Sequence, residues 1–213
     1  AMAAGPVVFG SADAPVTWAG LAGRPVDQEG FLSIVAPFNL AAESDVVDAD
    51  AADSLLAADI KAVGTSQWVL PGDDEDPAVP YVSFGLETHG PWATLGGANS
   101  LVVEVTTDHG DYTVAVQKYD DGIDSYDVPV VAVFDEEGEN TSLEFLNEVP
   151  GSVDTNSYDS AVAVLPVSLA SLGFTPEQIS AQDVSFDYTV SGTSWLADGG
   201  VYDTVEDLSF VWN

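Results

Sequence analysis

The chain of 213 residues contains no cysteine and almost no positive charge. Without cysteine there is no disulfide framework, which fits a cytosolic enzyme or an extracellular bacterial or archaeal domain large enough to fold without one. Lys and Arg total three against 36 Asp and Glu, a formal net charge of −33. That charge repels phosphates and anionic lipids, so it excludes non-specific binding to nucleic acid and attraction to membrane surfaces.

Long hydrophobic runs are also missing. No apolar stretch approaches the roughly 20 residues that span a bilayer, so we expect no membrane insertion. No signal peptide opens the chain, and Ala1, Met2 and Ala3 resemble a cloning scar. We therefore expect a native targeting sequence to have been cut away.

Histidine is scarce, and this limits the catalytic interpretations. His89 and His109 are the two histidines and hence the only candidates for the base of a Ser-His-Asp hydrolase. No G-x-S-x-G nucleophile elbow surrounds any serine. We expect His89 to pack or hydrogen-bond at a corner between strands, and His109 to be solvated at a turn. The remaining enzyme interpretation is a pair of carboxylates that hydrolyses glycosides. The alternative is that these carboxylates form a solvated acidic face.

The excess of acidic residues has a physical consequence for stability. Self-repulsion among carboxylates strains the compact state. Salt screens this repulsion, and bound divalent cations neutralise it. The composition therefore predicts a saline niche, divalent cations, or both.

Strand patterns account for most of what the sequence does contain. Hydrophobic residues make up 46% of the chain. They alternate with polar residues in short segments such as 81–86, 101–105 and 112–116, with Gly, Pro and Asp between them. This pattern predicts an all-β fold, an antiparallel β-sandwich of immunoglobulin or jelly-roll type.

One or two short helices interrupt this pattern. Residues 168–173 predict a single helical turn stopped by Gly173. Thr175 before Pro176 predicts an N-cap and the first position of a second helix. Residues 41–59, rich in Ala and Asp, are either another short helix or a solvated linker. We place a domain boundary here, with an N-terminal β segment over 1–50 and the main sandwich over 51–213.

Four segments carry a resemblance to a known family. Residues 58–64 (ADIKAVG) are similar to a strand pattern D-hydrophobic-[KR]-x-V-G, and 82–92 (VSFGLETHGPW) to Y-F-G-I-x-T-x-G-x-W. Residues 99–111 stand where the family has an Asp-rich strand and turn, and 161–175 (AVAVLPVSLASLGFT) are similar to V-x-V-L-P-V-x-L-x-A-L-G-L-T. In this order they resemble the β-rich C-terminal region of large secreted subtilisin-like serine proteases of actinobacteria and related bacteria. Residues 31–47 resemble the end of a preceding fibronectin-III-like module.

The resemblance implies an accessory role outside the cell. The domain would stabilise its parent protease, space it from the cell wall, or hold substrate or a surface polymer. Its partner would be an upstream protease domain of the same polypeptide, which would carry the catalytic residues. We expect a secreted or cell-wall-associated monomer without catalytic residues of its own.

Calcium is the cofactor that the composition favours. Ca²⁺ takes about six to eight oxygen ligands, and three acidic loops compete for it: residues 73–76, 108–111 and 120–127. In the family the second loop often reads like a calcium loop, whereas here it is reduced to TDHGD at 107–111. We favour the third loop, whose carboxylates recur around Gly122, and predict as ligands Asp120, Asp121, Asp124 and Asp127.

Exposed aromatic side chains would support a second function, a calcium-dependent carbohydrate-binding or adhesin module. Aromatic rings near turns can stack on sugars. Trp195 and Trp68 both lie near turn residues, and we predict them as ligand-binding residues; a half-buried interior position is the alternative for each. The two lysines, Lys61 and Lys118, could form an isopeptide cross-link or simple salt bridges.

Overall fold

Strands make up most of the computed structural model, which describes residues 37–72, 77–149, 152–153 and 158–212. Alternating side chains point to opposite faces of each strand, as the period-2 pattern predicts. In chain order the strands are β1 Asn39–Glu43, β2 Ile60–Leu70, β3 Val79–Trp92, β4 Asn99–Thr107, β5 Gly110–Asp120, β6 Ser125–Phe134, β7 Asn140–Phe145, β8 Glu148–Val149, β9 Ser152–Val153, β10 Ser160–Ser168, β11 Ser185–Ser194 and β12 Val201–Val211.

The strands form two large sheets. One sheet has the order β1-β2-β3-β10, the other has the order β12-β11-β4-β5-β6-β7, and β8 and β9 form a separate hairpin. The strand pairings are antiparallel. The predicted antiparallel all-β sandwich is therefore confirmed.

The core lies between the two sheets. In β4, Leu101, Val103 and Val105 are buried, while Glu104 between them is exposed. The facing sheet contributes Phe84, whose ring lies 5.2 Å from that of Tyr188 in β11. Each fully buried side chain of this size contributes roughly 1.5–3 kcal/mol through loss of apolar surface from water.

Short helices lie where the sequence predicts them. Helix α1 covers Asp53–Leu56, within the Ala- and Asp-rich stretch. A 3₁₀ turn covers Leu169–Leu172 and ends at Gly173, which adopts a left-handed φ of 81°. Helix α2 covers Pro176–Ser180 and begins with a complete capping box between Thr175 and Gln178.

The predicted corner at the end of β3 was wrong. Residues 89–92 do not turn the chain but continue β3, because this end of the strand pairs with β10 through Trp92 and Ser160. β10 runs through Pro166 to Ser168. β10 lies at the edge of its sheet, where a residue without an N–H need not break the ladder.

The N-terminal predictions are only partly covered by the structure. The predicted strands before residue 37 lie outside the described residues. β1 precedes the proposed boundary near residue 50, yet it pairs with β2, Asn39 lying opposite Thr65. The division into 1–50 and 51–213 stays a prediction.

A glycine allows the two sides of the sandwich to approach each other closely. A Cβ placed on Gly192 of β11 would lie 1.8 Å from the carbonyl oxygen of Ala58, just before β2. A real Cβ cannot occupy that position, and a main-chain carbonyl has little freedom to move away. The packing of β11 against this end of β2 therefore requires glycine at position 192.

We expect Gly192→Ala to destabilise the protein by at least about 3 kcal/mol, because the added methyl group forces the two backbones apart. Gly97→Ala is the matched control, since a Cβ at Gly97 would have no neighbour within 4 Å. Its cost should stay within roughly 0.5 kcal/mol. Urea denaturation of the two variants measures the difference, and equal midpoints would contradict the close approach.

Candidate functional site

The predicted calcium loop forms the turn between β5 and β6, and its carboxylates close that turn. Oδ1 of Asp121 accepts hydrogen bonds from the main-chain N–H groups of Ile123 at 2.9 Å and Asp124 at 2.8 Å. Its Oδ2 accepts from the Tyr126 hydroxyl at 3.1 Å. Oδ1 of Asp120 accepts from the main-chain N–H of Gly122 at 2.7 Å. Two of the four predicted ligands are thus used by the turn itself.

Asp127 has a different partner. Its carboxylate forms an ion pair with Lys118, which also donates to the Thr94 hydroxyl. Across residues 37–72, 77–149, 152–153 and 158–212, no three or more His, Cys, Asp or Glu side chains are grouped so that they could hold a metal ion. The structure therefore does not gather the four carboxylates of this loop, and calcium binding there stays a prediction.

The two competing acidic loops differ in how far the structure describes them. Residues 73–76 lie outside the described residues. In the reduced loop, Asp111 accepts a hydrogen bond from the Thr106 hydroxyl at 2.8 Å. Thr107 accepts from the main-chain N–H of His109 at 2.9 Å, which closes the hairpin between β4 and β5.

The first predicted ligand-binding aromatic, Trp68, lies within β2 rather than at a loop. Its ring stacks on Tyr81 of β3, with 4.4 Å between centroids and 7° between planes. Its indole N–H donates to the Ser83 hydroxyl at 2.9 Å. Burial, followed by the charge of Glu144, raises the pKa of Tyr81 to about 12. Trp68 is thus half-buried and has internal partners for both its ring and its N–H group.

The second, Trp195, is exposed over 77% of its surface. It follows the end of β11, and its main-chain N–H donates to the carbonyl of Ala98 at 3.0 Å. The turn is closed by a bond of 2.8 Å from Ser194 N–H to the carbonyl of Gly200. Leu196 and Val201 beside it are also exposed. This hydrogen-bonded turn therefore exposes an apolar surface to solvent. It belongs to the six-stranded sheet, whereas Trp68 lies in the four-stranded sheet.

Both histidines have structural partners. Nε2 of His89 lies 3.0 Å from the carbonyl oxygen of Ser44, to which it donates. The ring of His109 packs edge-on against Phe174, with 5.4 Å between centroids, and its Nε2 lies 3.0 Å from the side-chain amide of Gln178. His109 is exposed at the β4–β5 turn, as expected. Folding also brings Phe174 and α2 onto that turn, which gives the ring two contacts that the sequence did not indicate.

The lysines also form pairs. Nζ of Lys61 lies 2.6 Å from a carboxylate oxygen of Glu87 on the neighbouring strand. Lys118 pairs with Asp127 as described above. These contacts correspond to the salt-bridge interpretation of the two lysines.

Sequence reasoning missed the one carboxylate that is fully buried among the described residues. Asp59, between α1 and β2, has no exposed surface. Its Oδ2 accepts from the main-chain N–H of Val47 at 3.0 Å, whereas its Oδ1 has no hydrogen-bond partner. Desolvation raises the pKa of Asp59; the hydrogen bond from Val47 and the charge of His89 oppose that shift, and Asp203 adds to it.

Asp203 lies across from this carboxylate on β12. Its Oδ2 accepts from the main-chain N–H of Ile60 at 3.0 Å, which ties the first residue of β2 to the other sheet. The signal in the sequence was an Asp directly between Ala58 and Ile60, at the start of a buried strand. The surroundings of Asp59 depend on the hydrogen bond between Ile60 and Asp203, which no local sequence pattern reveals.

Comparison of the chain with protein-family models, with curated proteins and with solved structures found no match. None of the helices within the described residues is long and apolar enough to cross a membrane.

The Asp121 turn makes a testable electrostatic prediction. The main-chain N–H groups of Asp124 and Ile123, and then the Tyr126 hydroxyl, lower the pKa of Asp121 below its ordinary value of 3.8. Because folding lowers this pKa, the hydrogen bonds to Asp121 stabilise the folded protein fully above pH 3.8. That stabilisation is lost as the pH falls from there through the lowered pKa. A carboxyl-detected NMR titration should place Asp121 below 3.8.

Tyr126→Phe is the matched variant for this titration. It removes one donor and leaves the two main-chain donors, so the pKa of Asp121 should rise part of the way toward its ordinary value. A value at or above the ordinary one in the unaltered protein would contradict the geometry of the turn.

Proposed function

We propose that this chain is a non-catalytic accessory domain of a secreted or cell-surface subtilisin-like protease, where it contributes stability, spacing or attachment to a surface polymer. The observation that carries the proposal is where the four resembling segments lie. Residues 58–64 lead into β2, 82–92 lie in β3, 99–111 cover β4 and its turn into β5, and 161–175 run from β10 to the N-cap of α2. β2, β3 and β10 are neighbours in one sheet.

The surroundings of the two histidines support the same proposal. A general base needs a free ring nitrogen aimed at a nucleophile. The Nε2 contacts of the two rings go to a main-chain carbonyl in His89 and to the amide of Gln178 in His109, and neither partner is a hydroxyl nucleophile or an orienting carboxylate. These contacts give both rings a role in holding loops against the sandwich.

We expect the purified chain to hydrolyse no peptide or glycoside substrate faster than buffer does, because its histidines serve as structural contacts. A panel of chromogenic peptides and glycosides measures this, with a subtilisin and a glycosidase as positive controls. Turnover that disappears in His89→Ala or His109→Ala would overturn the proposal. Sequencing the longer gene tests the family directly, since an upstream domain with an Asp-His-Ser triad is expected.

A second candidate function is a carbohydrate-binding or adhesin module dependent on calcium. The observation that favours it is Trp195, exposed over 77% of its surface on a turn closed by hydrogen bonds. A rigid exposed aromatic offers a flat apolar face to a sugar ring at a low cost in side-chain entropy. Leu196 and Val201 extend that face.

In this case Trp195→Ala should weaken binding to a glycan array or a cell-wall polysaccharide by at least about tenfold, as expected for a central aromatic contact. Phe145→Ala is the matched control, because Phe145 is an exposed aromatic on β7 of the same sheet. Equal losses in both variants would show that Trp195 is not the recognition residue. Binding that persists in EGTA would exclude the dependence on calcium.

A further inference from the structure

The fully buried carboxylate of Asp59 lacks a compensating partner. It accepts one hydrogen bond, from the main-chain N–H of Val47, and its Oδ1 accepts none. Buried carboxylates in folded proteins are paired with cations, are saturated with hydrogen bonds, or bind metal ions. Only one of the two carboxylate oxygens of Asp59 has a hydrogen-bond partner.

The neighbouring charges make the deficit larger. Oδ2 of Asp203 accepts a hydrogen bond of 3.0 Å from the main-chain N–H of Ile60, the residue after Asp59. Asp48 follows Val47, whose main-chain N–H donates to Oδ2 of Asp59 at 3.0 Å. Three carboxylates thus act on one small region, which we term the acidic seam: Asp48, Asp59 and Asp203.

No described lysine is free to neutralise the acidic seam. Lys61 is paired with Glu87, and Lys118 is paired with Asp127. Among the described residues, His89 is the basic side chain whose charge acts on Asp59, and its Nε2 already donates to the carbonyl oxygen of Ser44. Protein contacts among the described residues therefore leave Oδ1 of Asp59 without a counter-ion or a donor.

We propose that the acidic seam binds a hard cation of the Ca²⁺ type, with Oδ1 of Asp59 as its buried ligand and Asp203 as the second carboxylate. Hard cations take carboxylate and carbonyl oxygens in flexible geometry, and they often keep bound water. The described residues hold no group of three or more His, Cys, Asp or Glu side chains that could hold a metal ion. A cation bound by these two carboxylates would therefore need main-chain oxygens and water as its remaining ligands. Asp48 contributes its field rather than a ligand.

The position of the acidic seam gives the cation a structural role. Val47 follows β1, Asp59 precedes β2, and Asp203 lies in β12 of the other sheet. A cation held by Asp59 and Asp203 therefore fastens the two sheets together at one edge. A ligand that binds only the folded form raises its stability with concentration. This proposal does not rest on the function proposed above.

Thermal melts at constant ionic strength test the site, with EGTA, CaCl₂ and MgCl₂ compared on the whole chain. The unaltered protein should melt at a higher temperature with CaCl₂ than with EGTA. Asp59→Asn and Asp203→Asn should abolish that increase, and calorimetric titration should show Ca²⁺ affinity reduced by at least about tenfold. Asp124→Asn is the control: its carboxylate belongs to the exposed β5–β6 turn, so the variant should keep the full response.

Each remaining outcome contradicts the acidic seam as a cation site. A response lost in Asp124→Asn and kept in Asp59→Asn would move the site to the β5–β6 turn. A protein that does not respond to CaCl₂, and that is stabilised by Asp59→Asn, would show that Asp59 is protonated instead. If Asp59→Asn does not fold, Asp203→Asn decides the matter alone, because it removes the carboxylate on the other side of the seam.

Discussion

The sandwich depends on one close contact between its sheets, where the β11–β12 hairpin meets the junction of α1 and β2. Gly192 admits the carbonyl of Ala58, and Asp203, its partner across the hairpin, accepts a hydrogen bond from the N–H of Ile60. Between these contacts lies Asp59, buried because the residues on either side of it are fixed against the other sheet. The burial of this carboxylate is thus a consequence of how the backbones pack.

Charge sets the second constraint on the fold. With 36 acidic residues and three basic ones, most carboxylates must face water, where solvent and salt reduce their repulsion. Strand alternation provides this arrangement, as in β4, where Glu104 faces out between Val103 and Val105. The turns use other carboxylates as acceptors for main-chain N–H groups, as Asp121 does. Among the described residues, Asp59 is the carboxylate without exposed surface. Burial also raises the pKa of the half-buried Glu144.

Local chemistry made part of this structure predictable. Alternation located the β4–β5 hairpin, and the capping box at Thr175 located α2, because both depend on residues close together in sequence. The Gly-Pro pair before Trp92 suggested a corner, but long-range pairing of β3 with β10 keeps it extended. The burial of Asp59 was equally hidden, because Asp203, which bonds the N–H of the next residue, is far away in sequence.

The difference between local sequence signals and long-range strand pairing also separates the two tryptophans, and it bears on function. Trp68 and Trp195 both stand near turn residues in the sequence, but register places Trp68 opposite Tyr81, where the rings stack. Trp195 has no such partner strand, because it begins the turn of the β11–β12 hairpin. That hairpin also carries Asp203, close to the turn. A cation at Asp203 would therefore stiffen the β11–β12 hairpin, which presents Trp195. Ligand binding at Trp195 and cation binding at Asp203 would then be coupled through this hairpin, without direct contact between the two sites.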